Sequence, residues 1–276
     1  MKRETKKETK KEMGKEIGKE MGKGVKRRDF IQGSAALFGL SAISFRSKAW
    51  GLGADSQLDV AEVMSFDGAI SRPSAWERGL FEVNRSTSID ANPKTVQVSL
   101  EKPEIFSHPF AVMIGAEEFS PLSTLAVENL RRYLVYGGFL LIDDASGRKN
   151  SGFRKSVARM SRRIFPTQTF LPLPADHSLY RSFFLLEEPV GRVKVSAQLE
   201  GVQVGSIWPM LYCPNDLSGA LERTAGGGDK YAVIPDGEYQ RTEAIKLMIN
   251  LTMYALTSNY KHDQAHVAEL LRRGGL

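Results

Sequence analysis

Short runs of apolar, β-branched and aromatic residues alternate with longer amphipathic segments through most of this chain. The clearest runs cover residues 110–115 and 139–142, and they are apolar at nearly every position. Such runs are typical of strands that are buried on both faces of a parallel sheet. Amphipathic segments between strands are typical of the helices that cross from one parallel strand to the next. The alternation therefore predicts a three-layer α/β fold with a mostly parallel sheet.

The spacing of apolar residues also predicts the individual elements. Residues 58–66 alternate as a strand does, and Ser74 is in the position of a helix cap before an apolar stripe that begins at Trp76. Leu125 is expected on the buried stripe of a helix over residues 123–136, and Gly137 is expected to end that helix. Further elements are predicted as helices over residues 151–165 and 244–256, a hairpin over residues 193–204 and a strand over residues 210–213.

Basic residues are concentrated at the amino terminus. Residues 3–22 repeat a tetrapeptide, seen most clearly as Lys-Glu-(Met/Ile)-Gly over residues 11–22, which predicts that residues 1–24 are a low-complexity tail or the product of an upstream start site. Residues 1–28 hold 12 Lys and Arg against 5 Glu, whereas the chain after Ala49 holds 24 basic and 26 acidic residues. The body of the chain is therefore nearly neutral, and it offers no basic surface of the kind that binds DNA or RNA.

Residues 25–49 contain the three parts of an export signal in the expected order. Arg27 and Arg28, followed by Asp29-Phe30-Ile31, resemble the twin-arginine motif, and a mild apolar run and a small-residue cleavage site ending at Ala49 come next. The apolar run, at residues 33–45, is well short of the roughly 20 residues that span a bilayer, so no permanent membrane anchor is expected. The resemblance implies passage through the twin-arginine translocase and a periplasmic or extracellular location.

The remaining sequence is predicted to form one folded unit. We expect a linker over residues 50–57, a single α/β domain over residues 58–260 and a polar helix or tail over residues 261–276. Cys213 is the chain's one cysteine, so the domain must be stable without an internal disulfide.

Acidic residues directly follow one of the predicted buried strands. In an open parallel sheet, ligands bind beyond the carboxyl ends of the strands, which makes Asp143 and Asp144 candidate site residues. Successive side chains on a strand point to opposite faces, so one carboxylate is expected to cap a helix or turn and the other to face the cleft. A divalent metal held by one of them with water is an open alternative to this capping role, and no other cofactor is predicted.

Other polar residues are candidates for the same cleft. Ser146 and His177 are candidate catalytic groups, since a histidine acts as an acid or base near neutral pH. The remaining candidates to line a ligand cleft are Glu117, Arg148, Asn215 and Asp216.

The segment Asn129-Leu130-Arg131-Arg132-Tyr133-Leu134, together with residues 137–144, resembles the bacterial family called domain of unknown function 4159. Matching stretches at residues 174–180, 215–220 and 250–257 extend the likeness from about Leu58 to Thr257. The family is similar to the class I glutamine amidotransferase-like superfamily, which implies a flavodoxin-like sheet. Active members of that superfamily carry a Gly-x-Cys-x-Gly elbow and a His-x-Glu pair, and neither is present here, so glutaminase chemistry is not expected.

Two functions remain open at this point. The first is a noncatalytic periplasmic module that binds an unknown protein or small ligand, favoured by the missing nucleophile. The second is a hydrolase or metal-assisted ligand-processing enzyme that uses Asp143 or Asp144 with Ser146 and His177. The second requires these groups to lie within hydrogen-bond reach of a common point.

Overall fold

The computed structural model describes residues 57–272, and their side chains as far as Ser258. Arg27, Arg28 and Ala49, with the predicted tail, signal and nearly all of the linker, lie outside the described residues. The described chain contains seven strands, β1 (Val60–Val63), β2 (Val96–Val98), β3 (Phe110–Gly115), β4 (Phe139–Asp144), β5 (Leu171–Pro172), β6 (Glu200–Val204) and β7 (Ile207–Cys213). Its α-helices are α1 (Pro73–Ser86), α2 (Thr124–Val135), α3 (Gly152–Ile164), α4 (Leu217–Leu221) and α5 (Gly237–Arg272).

All seven strands form one sheet in the order β2-β1-β3-β4-β7-β6-β5. The first five of these form a parallel sheet, β6 pairs antiparallel with β7, and β5 completes the sheet as an antiparallel edge strand. The parallel part has the order of flavodoxin-like sheets, with the change of direction between β1 and β3. The predicted α/β fold with a mostly parallel sheet is confirmed.

Helices cover both faces of the sheet, because alternate strand residues point to opposite sides. One core contains Leu141 of β4 with apolar residues of α1, α4 and α5, and the other contains Leu140 and Ile142 with apolar residues of α2 and α3. On the first face the rings of Trp76, Phe110, Phe139 and Tyr254 follow one another at centroid distances of 5.5 to 5.6 Å. The result is the predicted three-layer arrangement.

Local rules account for the ends of several elements. Ser123 caps α2 by accepting a hydrogen bond from the backbone nitrogen of Ala126 at 3.1 Å. Gly137 follows that helix with a φ of 102°, a conformation that favours glycine. The cap predicted at Ser74 is wrong: α1 begins one residue earlier, at Pro73, and the Ser74 hydroxyl instead bonds the backbone of Arg223.

Three other predictions about the elements are corrected by the structure. The hairpin is formed by β6 and β7 around Gly205 and Ser206, not by residues 193–204. Leu125 is 51% exposed, because the buried stripe of α2 runs through its neighbours Ala126 and Val127. The last helix is continuous as far as Arg272, whereas a separate polar element was expected after residue 260.

Among the described residues, no helix has the length and apolar character needed to cross a bilayer.

The buried phenylalanine of α3 gives a direct test of this packing. Phe153 is fully buried and lies against the rings of Phe119 and Phe66. We expect Phe153→Ala to lower the free energy of unfolding by about 3 to 5 kcal/mol, through lost contacts and the cavity left behind. The matched control is Phe81→Ala in α1, where the ring is 59% exposed and a change of less than about 0.5 kcal/mol is expected. Equal effects in urea denaturation would contradict the assigned packing.

Candidate functional site

The carboxyl ends of β1, β3, β4 and β7 meet at one edge of the sheet, because these strands are parallel. At this carboxyl edge Asp144 is paired with Gly115 of β3, and Asp143 with Cys213 of β7. The two predicted acids therefore lie at the centre of the edge. The loops after β1, β4 and β7 surround them.

Asp143 binds the start of α4. Its carboxylate accepts hydrogen bonds from the backbone nitrogens of Leu217 and Ser218, both at 2.8 Å, and from the Ser218 hydroxyl. The side chain is buried, and this burial together with the nearby charge of Asp216 raises its pKa to about 6 against the opposing effect of the three donors. Asp143 thus binds the first turn of a helix that follows a neighbouring strand, and Asp216 is the cap residue of that helix.

Asp144 points to the other face and is also buried. It accepts hydrogen bonds from the backbone nitrogen of Ser146 at 2.9 Å, the Ser151 hydroxyl at 2.5 Å and the Tyr212 hydroxyl at 2.6 Å. Ser151 in turn caps α3 through the backbone nitrogen of Arg154. One acid was predicted to face the cleft, and the structure corrects this: the two are 1% and 0% exposed and are bound by internal donors.

Asn215 organises the loop before β6. Its side-chain oxygen accepts from the backbone nitrogens of Val195 and Ser196, and its nitrogen donates to the carbonyls of Pro189 and Ser196, all at 2.8 to 2.9 Å. The residue is fully buried, and its amide uses both donors and accepts twice. It holds residues 189–196 against the end of β7.

Asp216 connects this loop to Arg72, the residue that precedes α1. It has a left-handed backbone with a φ of 54°, and its side chain accepts from the backbone nitrogen of Gly219 at 3.1 Å. Its carboxylate also pairs with Arg72 at 3.4 Å and with Nε of Arg192. Burial raises the pKa of Asp216, while the two arginines act in the opposite direction.

The same two arginines lie over Tyr231. The centre of the Arg72 guanidinium is 5.0 Å from the ring centroid, that of Arg192 is 5.8 Å away and Nζ of Lys230 is 5.4 Å away. These are cation–π distances. We call Arg72, Arg192, Lys230, Tyr231 and Asp216 the arginine–tyrosine cluster.

Two residues hold the cluster in position. The buried carboxylate of Glu62 accepts a hydrogen bond from the backbone nitrogen of Arg72 at 3.1 Å. The buried guanidinium of Arg241 donates to the carbonyl of Tyr231 at 3.1 Å and to the carbonyl of Ala220. Glu62 thus fixes the backbone of Arg72, and Arg241 fixes the backbone of Tyr231.

Sequence reasoning found Asp216 but missed the other members of the cluster. Arg72 ends the loop that follows β1, so a search of every strand end for cations as well as acids would have found it. Arg192 and Tyr231 follow no strand directly, and only the folded loops bring them to the edge. Their sequence separation left no signal.

His177 lies at the opposite end of β7 from Asp143. Its ring packs against Trp208 and Tyr254 at centroid distances of 6.1 and 5.3 Å, and its Nδ1 accepts from the backbone nitrogen of Leu179. Trp208 is near the start of β7 and Cys213 at its end, which separates them by about 16 Å at roughly 3.3 Å per residue. The structure does not bring His177 and Asp143 to a common point.

Of the other residues considered from the sequence, Glu117 and Arg148 are exposed at the carboxyl edge and Cys213 is buried beneath it. Glu117 and Arg148 form an exposed ion pair at 3.0 Å, and the Ser146 hydroxyl accepts from the backbone nitrogen of Arg148. Cys213 is buried, and this burial raises the pKa of its thiol. Among the described residues, no three His, Cys, Asp or Glu side chains are grouped so that they could hold a metal ion.

The folded domain matches a known protein family. A family model described as a domain of unknown function (DUF4159) matches residues 60–256, and the chain belongs to this family. The match covers the whole sheet, from the first residue of β1, and reaches well into α5. A search of curated proteins finds no match.

The shifted pKa of Asp143 predicts how stability depends on pH. The folded protein retains the Asp143 proton up to about pH 6, whereas an ordinary aspartate releases it near 3.8. The free energy of unfolding should therefore decrease as pH rises through this interval, and Asp143→Asn should lack this contribution. Urea denaturation of both proteins between pH 4 and 7 measures the difference. A difference that does not change with pH would contradict the shift.

Proposed function

We propose that this protein is an exported, noncatalytic binding module whose ligand site is at the carboxyl edge of the sheet. The observation that carries the proposal is the use of the strand-end acids inside the protein. Asp143, Asp144 and Asn215 are all buried and bound by internal partners, whereas the arginine–tyrosine cluster reaches the surface at the same edge.

The geometry favours binding over catalysis. Acid–base or nucleophilic chemistry needs its groups within hydrogen-bond reach of one reacting atom. His177 lies near the start of β7, at the opposite end of this strand from Asp143. The thiol of Cys213 is buried and its pKa is raised. Asp143, Ser146 and His177 therefore do not lie around one reacting atom, as a hydrolase site requires.

The relation to glutamine amidotransferase-like proteins belongs to the same proposal. The flavodoxin-like order of the parallel strands supports it. The segment that the resemblance aligns with the cysteine elbow of those enzymes begins with the last two residues of β4. In this chain that position is Asp143-Asp144-Ala145-Ser146-Gly147, and its acids bind α4 and the start of α3. The fold is thus retained while the elbow serves as an internal anchor.

Export is the part of the proposal that rests on the amino-terminal sequence. Arg27, Arg28 and the cleavage site ending at Ala49 support transport by the twin-arginine translocase, followed by a periplasmic or extracellular location. The nearly neutral body of the chain is consistent with a partner other than nucleic acid. An unknown periplasmic protein or a small ligand is the proposed partner.

Replacement of both Arg27 and Arg28 by Lys tests the route. We expect the full-length double variant to remain in the cytoplasm with its signal peptide uncleaved, because the translocase recognises the arginine pair. Cell fractionation and immunoblotting compare it with the wild type. A control with Lys10 and Lys11 changed to Arg should leave export intact, and normal export of the double variant would contradict the assigned signal.

The binding role is tested by charge reversal at the two edges of the sheet. Arg148→Glu reverses an exposed charge at the carboxyl edge, and its matched control Lys102→Glu reverses an exposed charge before the amino end of β3. Material recovered with the tagged full-length protein from periplasmic extract should be lost with Arg148→Glu and kept with Lys102→Glu. Equal recovery with both variants, or chemical conversion of the recovered ligand by the wild type, would contradict a binding module at this edge.

A further inference from the structure

Two arginines in the arginine–tyrosine cluster share one carboxylate. Asp216 pairs with both Arg72 and Arg192, and in the described part of the chain it is the acid that ion-pairs with either of them. The third cation, Lys230, lies 3.8 Å from the carboxylate of Glu222. The arginines therefore retain donors that Asp216 does not use.

Arg72 provides the most unusual of these donors. Its side chain is only 8% exposed, and its Nη1 is buried without a hydrogen-bond partner. An unpaired buried donor of a charged group is costly, and native structures rarely retain one without a role. The neighbouring ring of Tyr231 offsets part of this cost, since a cation is attracted to the face of an aromatic ring.

Arg192 provides donors on the solvent side of the cluster. Its Nε is bound to Asp216, its side chain is 24% exposed, and its Nη2 lies beside Gly147 in the loop after β4. There Gly147 has a φ of 61°, and a Cβ at this residue would lie 2.8 Å from Nη2 of Arg192. A side chain at this position would therefore collide with the Arg192 guanidinium.

The chemistry of these donors selects the ligand. A guanidinium presents parallel N–H groups that match two oxygens of a carboxylate or phosphate, and such charge-assisted hydrogen bonds are stronger than neutral ones. We propose that Arg72 and Arg192 bind the oxyanion of a small acidic ligand, a carboxylate or a phosphate, beside the ring of Tyr231. This inference rests on the proposed binding role and names the class of ligand for it.

Calorimetric titration of the full-length protein with succinate or inorganic phosphate, at low and matched ionic strength, tests the inference. The wild type should bind at least one of the two anions, and which anion binds distinguishes a carboxylate ligand from a phosphate ligand. Arg72→Gln and Arg192→Gln should each weaken binding at least about tenfold, as expected for the loss of a hydrogen bond to a charged group. The control is Arg85→Gln at the other end of α1, where the side chain is exposed and affinity should be unchanged.

Several results would overturn the inference. They are the failure of both anions to bind the wild type, unchanged affinity in Arg192→Gln, and an equal loss in Arg85→Gln. If Arg72→Gln does not fold, Arg192→Gln decides the matter, because Arg192 is partly exposed. If the arginine variants bind both anions as the wild type does and still recover the periplasmic partner, the inference fails and the binding module stands.

Discussion

The hydrogen bonds from the start of α4 to Asp143 connect the central strand of the sheet to the loop after β7. Leu217 and Ser218 donate their backbone nitrogens to this buried carboxylate, which fixes the turn that precedes them. Within that turn Asp216 adopts its left-handed backbone, and there it meets Arg72 and Arg192. The positions of Arg72 and Arg192 therefore depend on an acid that is itself buried.

This dependence is the reason that polar residues are so dense at a buried edge. Removing one partner of a buried ion pair costs about 3 to 5 kcal/mol, since the other charge is left without compensation. Asp216 has two arginines as partners, and Asp144 has three donors in Ser146, Ser151 and Tyr212. The acids at the strand ends stabilise the loops, and the loops hold Arg72 and Arg192 beside Tyr231.

The sequence predicted the sheet well because its central strands are apolar at nearly every position, a pattern typical of strands covered on both faces. It predicted β3 residue for residue and placed Asp143 and Asp144 at the carboxyl end of a buried strand, which the structure shows to be the last two residues of β4. It did not reveal that both acids turn inward, because a two-residue pattern does not show which donors surround each side chain. Arg192 and Tyr231 were missed because loops bring them to Arg72, and a sequence pattern does not show the path of a loop. Those paths depend on hydrogen bonds of Asn215 and Arg241. The hairpin was misplaced because β6 has a glycine and two polar residues among its five positions, which leaves a weaker pattern than the apolar central strands.

The most direct test of the oxyanion site is a crystal of the protein soaked in selenate, with data collected at the selenium absorption edge. Selenate has the charge and shape of a tetrahedral oxyanion, and its position can be read from an anomalous difference map. We expect a peak beside the Tyr231 ring, with oxygens about 3 Å from the terminal nitrogens of Arg72 and Arg192. Selenate bound only elsewhere, with these two arginines unoccupied in the same crystal, would contradict an oxyanion site at the arginine–tyrosine cluster.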